Sequence, residues 1–527
     1  MAALAPMPSV AQTAAPPQEA APAQDASPGR DIVVVTANRR EQDVTEIPYN
    51  ITAVSSDAVE RTGVASIEDL SRQIPNLVVT SSGAQFMGAQ RQIMRGLNAS
   101  SSNRNGVAIE QNPVSTYLGN APYANFFQVD DVERVEVLRG PQGTLYGAGA
   151  LGGAIRLIPT QPELGAFEGK VSGKAGVLEH SSDMDYGASA LVNLPIGDTL
   201  ALRVSGGYEK SAGYIDQFGI WVRQGDSTLG DPILANPGAP VTSPALSYNN
   251  KDVNWSKSTN WRAALRWHPT DAFDATLSHN IQRTNGFGPS FDTPAYNGGP
   301  DPFTPSAVYP DTGEYEVVMR GRQPFNRTSE MTTLDMSYDL GFATVSSTTS
   351  HFDTSGKAYY DGTWSTLALP AAYLPYYTGS PTNPRFNSIQ RFDDDNEATT
   401  QEIRLVSNGD NLFDYIVGAF YTKEDNQTVW NGFDPGQNFY NGLPGVSSPG
   451  GMLPGPYETL WYVGGSNKFT DKAVFGELTW HVTPDVDLTV GARAFKQSLD
   501  REAFSINPAF GLNEFGHQLL RFLGHEV

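Results

Sequence analysis

Seven histidines are scattered through 527 residues, and none stands at an H-E-x-x-H or other metal-ligand spacing. The absence of cysteine removes disulfides and thiolate metal sites. Residues 147–152 match G-x-G-x-x-G, but a dinucleotide site needs that run directly between a strand and a helix, with an acidic residue roughly 20 positions on. Here several residues separate it from the preceding apolar-charged run, and the continuation through Ile155, Arg156, Leu157 and Ile158 is extended, ending in Pro159. No G-K-[ST] follows a glycine run, and there is neither a nucleophile elbow nor a carboxylate pair at diagnostic spacing. The expectation is a non-enzymatic protein with no cofactor and no metal. A net charge of −22 argues against nucleic acid as a partner, since neutralising phosphates takes clustered Lys and Arg.

The stretch around which the chain is organised is 132–158. Residues 132–138 alternate apolar and charged side chains, as a strand with one buried face does; Gly140 and Pro141 break it, and residues 155–158 resume an extended pattern. Glycines between them fold the return tightly, which on composition alone also describes a turn in any β-protein. The order of residues is more specific. An acidic-and-basic strand, then Arg139-Gly140-Pro141, Gly143, Leu145-Tyr146-Gly147 and Gly152-Gly153 before an apolar return strand, resembles the plug-domain motif of TonB-dependent outer-membrane receptors. The resemblance extends over 31–498 and is strongest over 91–160, where Arg95-Gly96 belongs to the same pattern. It implies a mainly β chain, with a small α+β plug at 45–162 followed by antiparallel transmembrane β-barrel strands at 165–527.

No apolar run approaches the roughly 20 residues of a membrane helix, so the chain could cross a bilayer only as a barrel. Period-two alternation pervades the region after about residue 165: Leu200, Leu202, Val204 and Tyr208 against Arg203, Ser205 and Gly207, or Trp261, Ala263 and Leu265 against Arg262 and Arg266. A soluble sandwich would alternate too. Short turns near 195–198, 268–271, 340–341, 408–411 and 482–485 separate long polar, aromatic loops at 211–257, 284–329, 354–396 and 425–469, the short-long rhythm of an outer-membrane barrel. At about ten residues per strand this gives roughly eleven strands. Plugged transporters of this kind have about 22, so the chain resembles the first half of a receptor.

Residues 1–30 have a disordered Ala/Pro/Gln composition; Ser9-Val10-Ala11 fits a signal-peptide cleavage site and a plain linker equally. Asp31, Ile32, Val33, Val34, Val35, Thr36 and Ala37 form a β-prone run that reads either as an ordinary edge strand or, by resemblance, as the TonB box. Residues 51–54, 75–79 and 92–97 are expected strands, with short helices at 56–61 and 67–73. Where relatives carry Tyr-x-Asp-Gly, this chain has Tyr117-Leu118-Gly119-Asn120, which keeps the turn and loses a carboxylate.

The resemblance further implies that Arg95 and Arg139 on the plug meet Glu402 and Glu477 on the inner wall. It places substrate contacts at the plug apex, near Gln85, Phe86, Arg104, Asn105, Tyr123, Phe126 and Phe127, whose aromatic and amide groups suit a binding surface. Its functional implication is active uptake of a scarce large nutrient across the outer membrane, with the N-terminus in the periplasm. The partners would be TonB with its inner-membrane energising complex, outer-membrane lipid and the nutrient. An iron chelate, or siderophore, is the commonest substrate, with oligosaccharide and cobalamin as alternatives. A passive porin or adhesin and a soluble β-rich glycan-binding protein or enzyme are the rival classes.

Overall fold

The computed structural model describes residues 34–35, 42–43, 50–62, 67–81, 90–97, 113–123, 128, 131–147, 150–222, 247–288, 312–362, 388–408, 411–433, 459–483 and 486–506. At the N-terminal end, β1 (Val34–Val35) pairs antiparallel with β2 (Gln42–Asp43). The plug follows. Strand β3 (Asn50–Ser55) leads into α1 (Ser56–Thr62), with Asp57 in the first turn and Arg61 in the last, where each complements the helix dipole. Helix α2 (Ile67–Ser71) precedes the two-stranded sheet of β4 (Leu77–Ser81) and β5 (Gln90–Met94). Then come β6 (Val114–Leu118), β7 (Ala121–Pro122), β8 (Val132–Arg139), α3 (Gly143–Tyr146) and β9 (Gly153–Pro159).

The plug sheet has the order β3-β8-β9-β6-β7, so the organising stretch of the sequence supplies its second and third strands. Val135, Val137, Ile155 and Leu157 are buried with Ile67, Leu70 and Met94 in one apolar cluster. Burial of each such side chain contributes about 1.5–3 kcal/mol against chain entropy. The expected glycine loop contains a single helical turn, α3, closed by Gln142 N–H donating to Ala150 O at 2.9 Å and Gly140 N–H to Gly152 O at 2.9 Å.

After the plug, eleven strands form one antiparallel sheet. They are β10 (Glu168–Val177), β11 (Met184–Ile196), β12 (Leu200–Ser211), β15 (Ser256–Thr270), β16 (Phe273–Phe287) and β18 (Pro324–Asp339), then β19 (Ala343–Asp361), β20 (Ile389–Ser407), β21 (Phe413–Phe433), β22 (Thr459–Thr483) and β23 (Val486–Ile506). Between the long strands, β13 (Asp216–Trp221), β14 (Ser247–Asn250) and β17 (Glu316–Val318) make a separate small sheet. The strand count agrees with the sequence reading; the lengths do not. They run from ten residues in β10 to twenty-five in β22, taking in parts of the expected loops. Beyond the apolar belt both faces are polar, so the hydrophobic alternation fades while the backbone ladder continues.

The sheet is inside out relative to a soluble protein. Trp261, Leu277, Val417, Val474 and Leu478 are exposed on its outer face, whereas Arg203, Asn280, Glu402 and Asp471 are buried on the face toward the plug. Lipid on the outside and a plug on the inside account for this reversal.

Gly153 is where the plug is least tolerant. Its φ is +149°, and a Cβ there would overlap Leu138 O and Met94 Sδ, while one at Gly143 meets nothing within 4 Å. Gly153→Ala should cost the plug about 3 kcal/mol or more, read as faster hydrogen exchange in peptides covering 132–159, with Gly143→Ala close to wild type.

Candidate functional site: the plug-wall interface

Besides the packing of Met331 and Phe352 against the plug core, the plug meets the inner wall at two places with different chemistry. At the first, α3 packs on β22 and β23: Leu145 and Tyr146 share an apolar cluster with Ile416 and Phe475 of the wall. Tyr146 is held from behind by Tyr117, whose Oη donates to Tyr146 O at 2.9 Å and whose ring meets it edge-on at 5.2 Å. Close approach explains the glycine of Leu145-Tyr146-Gly147. Gly147 has φ +77°, and an added Cβ would lie 2.8 Å from Arg493 Nη2. That guanidinium sits 5.4 Å from the Phe420 ring centroid and 5.5 Å from that of Phe475, with Asp471 at 3.7 Å.

At the second, the contact is ionic. Asp131, at the entrance to β8, accepts from Arg203 Nε at 2.9 Å and Nη2 at 2.6 Å, and from Arg262 Nη1 at 3.1 Å. The side chains of Asp131, Arg203 and Arg262 are 3%, 4% and 9% exposed, and Arg203 also donates to Glu168 at 2.7 Å. Neighbouring bonds follow the same seam: Gln128 N–H donates to Gln282 Oε1 at 2.7 Å, Gln128 Nε2 to Glu209 at 2.8 Å, and Lys170 pairs with Glu60 of α1. Beside them a cavity of about 550 Å³ opens between plug and wall, lined by Glu60, Gln128, Asp131, Lys174, Arg203 and Glu209.

The plug has its own ionic centre. Glu136, fully buried, accepts from Arg156 Nη1 at 2.6 Å and Arg134 Nε at 2.9 Å. Arg156 also reaches Gly119 O and Asn120 Oδ1 at 3.3 Å, so the β6-β7 turn is tied down without the aspartate of the family pattern.

Among the described residues, Arg95 and Arg139 form no ion pair with Glu402 or Glu477, so the expected four-member cluster is not assembled. Arg139 Nη2 donates to Thr52 Oγ1 at 3.0 Å and Nη1 to Pro75 O at 3.4 Å, both inside the plug. Arg95, with φ +52°, is exposed and places its guanidinium against Gly140. Glu402 is buried on the inner face as period two requires, but its partner is Arg404 at 2.9 Å, two residues along the same face. Glu477 is half-buried and lies near Gly491. The charges that do join plug and wall have the opposite polarity, a plug carboxylate on wall arginines. Their one sequence signal is inward-facing Arg203 and Arg262 in strands with apolar outer faces, which obliges a buried carboxylate somewhere.

Of the expected substrate contacts, Tyr123 is buried in the plug core, where burial pushes its phenol above the ordinary range. Gln85, Phe86, Arg104, Asn105, Phe126 and Phe127 lie outside the described residues, as do Asp31, Ile32, Val33, Thr36 and Ala37. Val34 and Val35 pair with Asp43 and Gln42. Among the described residues no group of three or more His, Asp and Glu side chains is placed to hold a metal ion.

A polar-inside, apolar-outside sheet docked on a small α+β domain defines a plugged outer-membrane barrel protein. Residues 43–154 match the family model described as the TonB-dependent Receptor Plug Domain. The vitamin B12 transporter BtuB of Vibrio vulnificus (strain CMCP6) is 32% identical over 258 residues, 48% of this chain and 39% of that protein. Among solved structures, the ferric yersiniabactin uptake receptor FyuA from Yersinia pestis aligns with a TM-score of 0.61 at 17% identity, covering 87% of this chain and 61% of that one. The ferripyoverdine receptor of Pseudomonas aeruginosa aligns at 0.60 and 15% identity, covering 90% and 55%. Residues 43–154 are thus a TonB-dependent receptor plug domain, and the sheet that follows has the fold of the outer-membrane receptor barrels it aligns with. The chain spans about two fifths of the length of the curated relative.

The ionic contact has a clean test. Asparagine tolerates the φ of +51° at position 131, so Asp131→Asn removes charge without new backbone strain. Buried Arg262 then loses its counterion and Arg203 keeps only the more exposed Glu168, at a cost of about 3–5 kcal/mol in plug docking. Limited proteolysis and hydrogen exchange over 131–139 should both accelerate, with Asp131→Glu intermediate.

Proposed function

We propose that this receptor performs TonB-dependent active uptake of a scarce, large nutrient, with an iron chelate as the leading substrate class. The observation that carries the reading is the plug docked on the inner wall by the buried Asp131, Arg203 and Arg262 contact. A passive pore has no use for a plug held by several kcal/mol, whereas an energised one needs a closed state that work can open. Substrate enters from the long-loop side. At the other end TonB captures residues 32–37 by β-augmentation, taking the edge that β2 occupies across two residue pairs. A pull there reaches β3, whose Asn50 end pairs with Arg139 of β8, so the plug sheet is loaded from one end and its pairs give way in sequence.

Two of the solved structures it resembles are a ferric yersiniabactin uptake receptor and a ferripyoverdine receptor, which supports the iron-chelate reading. Cobalamin is the second reading, favoured by the similarity to BtuB. Uptake of labelled ferric siderophores and of labelled cobalamin, in cells lacking their own receptors, separates the two: accumulation of cobalamin alone would replace iron chelate as the substrate.

The coupling step is tested at Val34. Proline there removes a ladder donor and fixes φ, so Val34→Pro should abolish uptake while outer-face ligand binding persists, and Val34→Ala should change little. Normal transport by the proline variant, or joint loss of binding and folding, would make the run a structural strand.

A further inference from the structure

Six described residues other than glycine have φ in the left-handed region, and three of them, His180 (+67°), Asp252 (+54°) and Tyr315 (+64°), meet in one place on the long-loop side. They come from the tip of the β10-β11 hairpin, the turn between β14 and β15, and the residue just before β17. A tyrosine in that region is a steric outlier, whereas glycine adopts it freely. Side chains kept there against strain are accounted for by what they touch.

Asp252 is a brace. Its carboxylate accepts from Ser182 N–H at 3.0 Å and from the Ser182 hydroxyl, its own N–H donates to Asp216 Oδ1 at 3.1 Å, and Asp216 N–H donates to Tyr315 O at 2.8 Å. The hairpin tip and the start of β17 are thereby fixed to each other without the rings of His180 and Tyr315. Those rings stack at 4.8 Å with 29° between their planes, and Tyr214 meets Tyr315 edge-on at 5.7 Å. The stack lies at the surface, with the His180 side chain 56% exposed. Acceptors stand along one edge. Glu179, 91% exposed, lies 4.0 Å from His180 Nε2. The Glu314 carboxylate raises the Tyr315 phenol above its ordinary pKa by its charge and by accepting from its hydroxyl, with Glu179 adding to the effect. Neither carboxylate pairs with Lys or Arg among the described residues.

We propose that His180 and Tyr315, with Glu179 and Glu314, form a surface site for a pyranose unit of a soluble glycan. A pyranose ring needs a π face for its C–H side and acceptors for its O–H groups, and the ledge supplies both. A cation is better held by rings arranged around it than by rings stacked on each other, and among the described residues no three His, Asp and Glu side chains are placed to hold a metal. The braced backbone sets both rings before the sugar arrives, so binding orders no loop. Binding is read without transport, and its outcome therefore stands apart from the uptake reading.

The test is saturation-transfer NMR on the full chain in a detergent without a sugar headgroup, with linear hexasaccharides of glucose, galactose and mannose as probes. At least one should bind, with transfer concentrated on ring C–H protons. His180→Gly and Tyr315→Gly should each weaken binding about tenfold, and Glu179→Gln and Glu314→Gln about threefold. Hydrogen exchange over 312–323 should be no faster than wild type in the two glycine variants, because glycine fits the backbone there. Asp252→Gly gives the contrast, with faster exchange over the same segment through loss of the brace. The site is overturned if no hexasaccharide binds, if the glycine variants bind as wild type does, or if they exchange as fast as Asp252→Gly, which would make the rings loop packing. Displacement of the sugar by tetramethylammonium at equal concentration would reassign the ledge to cations and overturn the glycan.

Discussion

Hydrocarbon offers a backbone amide no hydrogen-bond partner, and that constraint shapes everything outside the plug. Each strand of the long sheet satisfies its neighbours through an antiparallel ladder whose register shifts only at the ends of three of its pairings. Once the ladder is fixed, period two assigns alternate residues to lipid and to the interior. The outer face must then be apolar. The inner face is free to be polar, and here it is, with Arg203, Asn280, Arg262 and Glu402 all turned inward and buried.

A polar wall dictates how a plug can bind to it. Apolar packing alone would leave wall arginines buried without counterions, so one contact is ionic, Asp131 on Arg203 and Arg262. Where the wall presents aromatics, on β21 to β23, the plug answers with α3, and glycine at 147 and 491 lets the two surfaces approach. The two contacts differ in how they yield. The buried ion pair adjoins a cavity that water can enter as soon as the plug shifts, whereas Arg493 lies between the Phe420 and Phe475 rings. The ionic side is therefore where a pull on β3 would open a gap first, next to space already present.

Much of this was legible in residues. The order Arg139-Gly140-Pro141 to Gly153 pointed to the plug, and three of its glycines answer separate demands: a positive φ at 140, a wall guanidinium at 147, a neighbouring carbonyl at 153. Alternation gave the eleven strands. Strand ends were not legible, since beyond the lipid Asp353, Glu397 and Asp425 stand where apolar residues would mark an outer face, although the ladder runs through them. Nor was the polarity of the plug contact. Glu402 has Arg404 two residues away, and only the folded register reveals that a local partner has taken it. Asp131 is a single carboxylate before a strand, and nothing near it in sequence announces arginines 72 and 131 positions distant.

On the proposed function, the plug parts from the wall at the ionic side when substrate passes. The chain contains no cysteine, so Gln128→Cys with Gln282→Cys introduces a single thiol pair across that seam and leaves Asp131 and its arginines intact. Bridging the pair with a short, reducible thiol crosslinker should stop TonB-dependent uptake, preserve ligand binding at the outer face, and release the block on reduction. Undiminished uptake with the bridge fully closed would show that substrate passes without this seam opening.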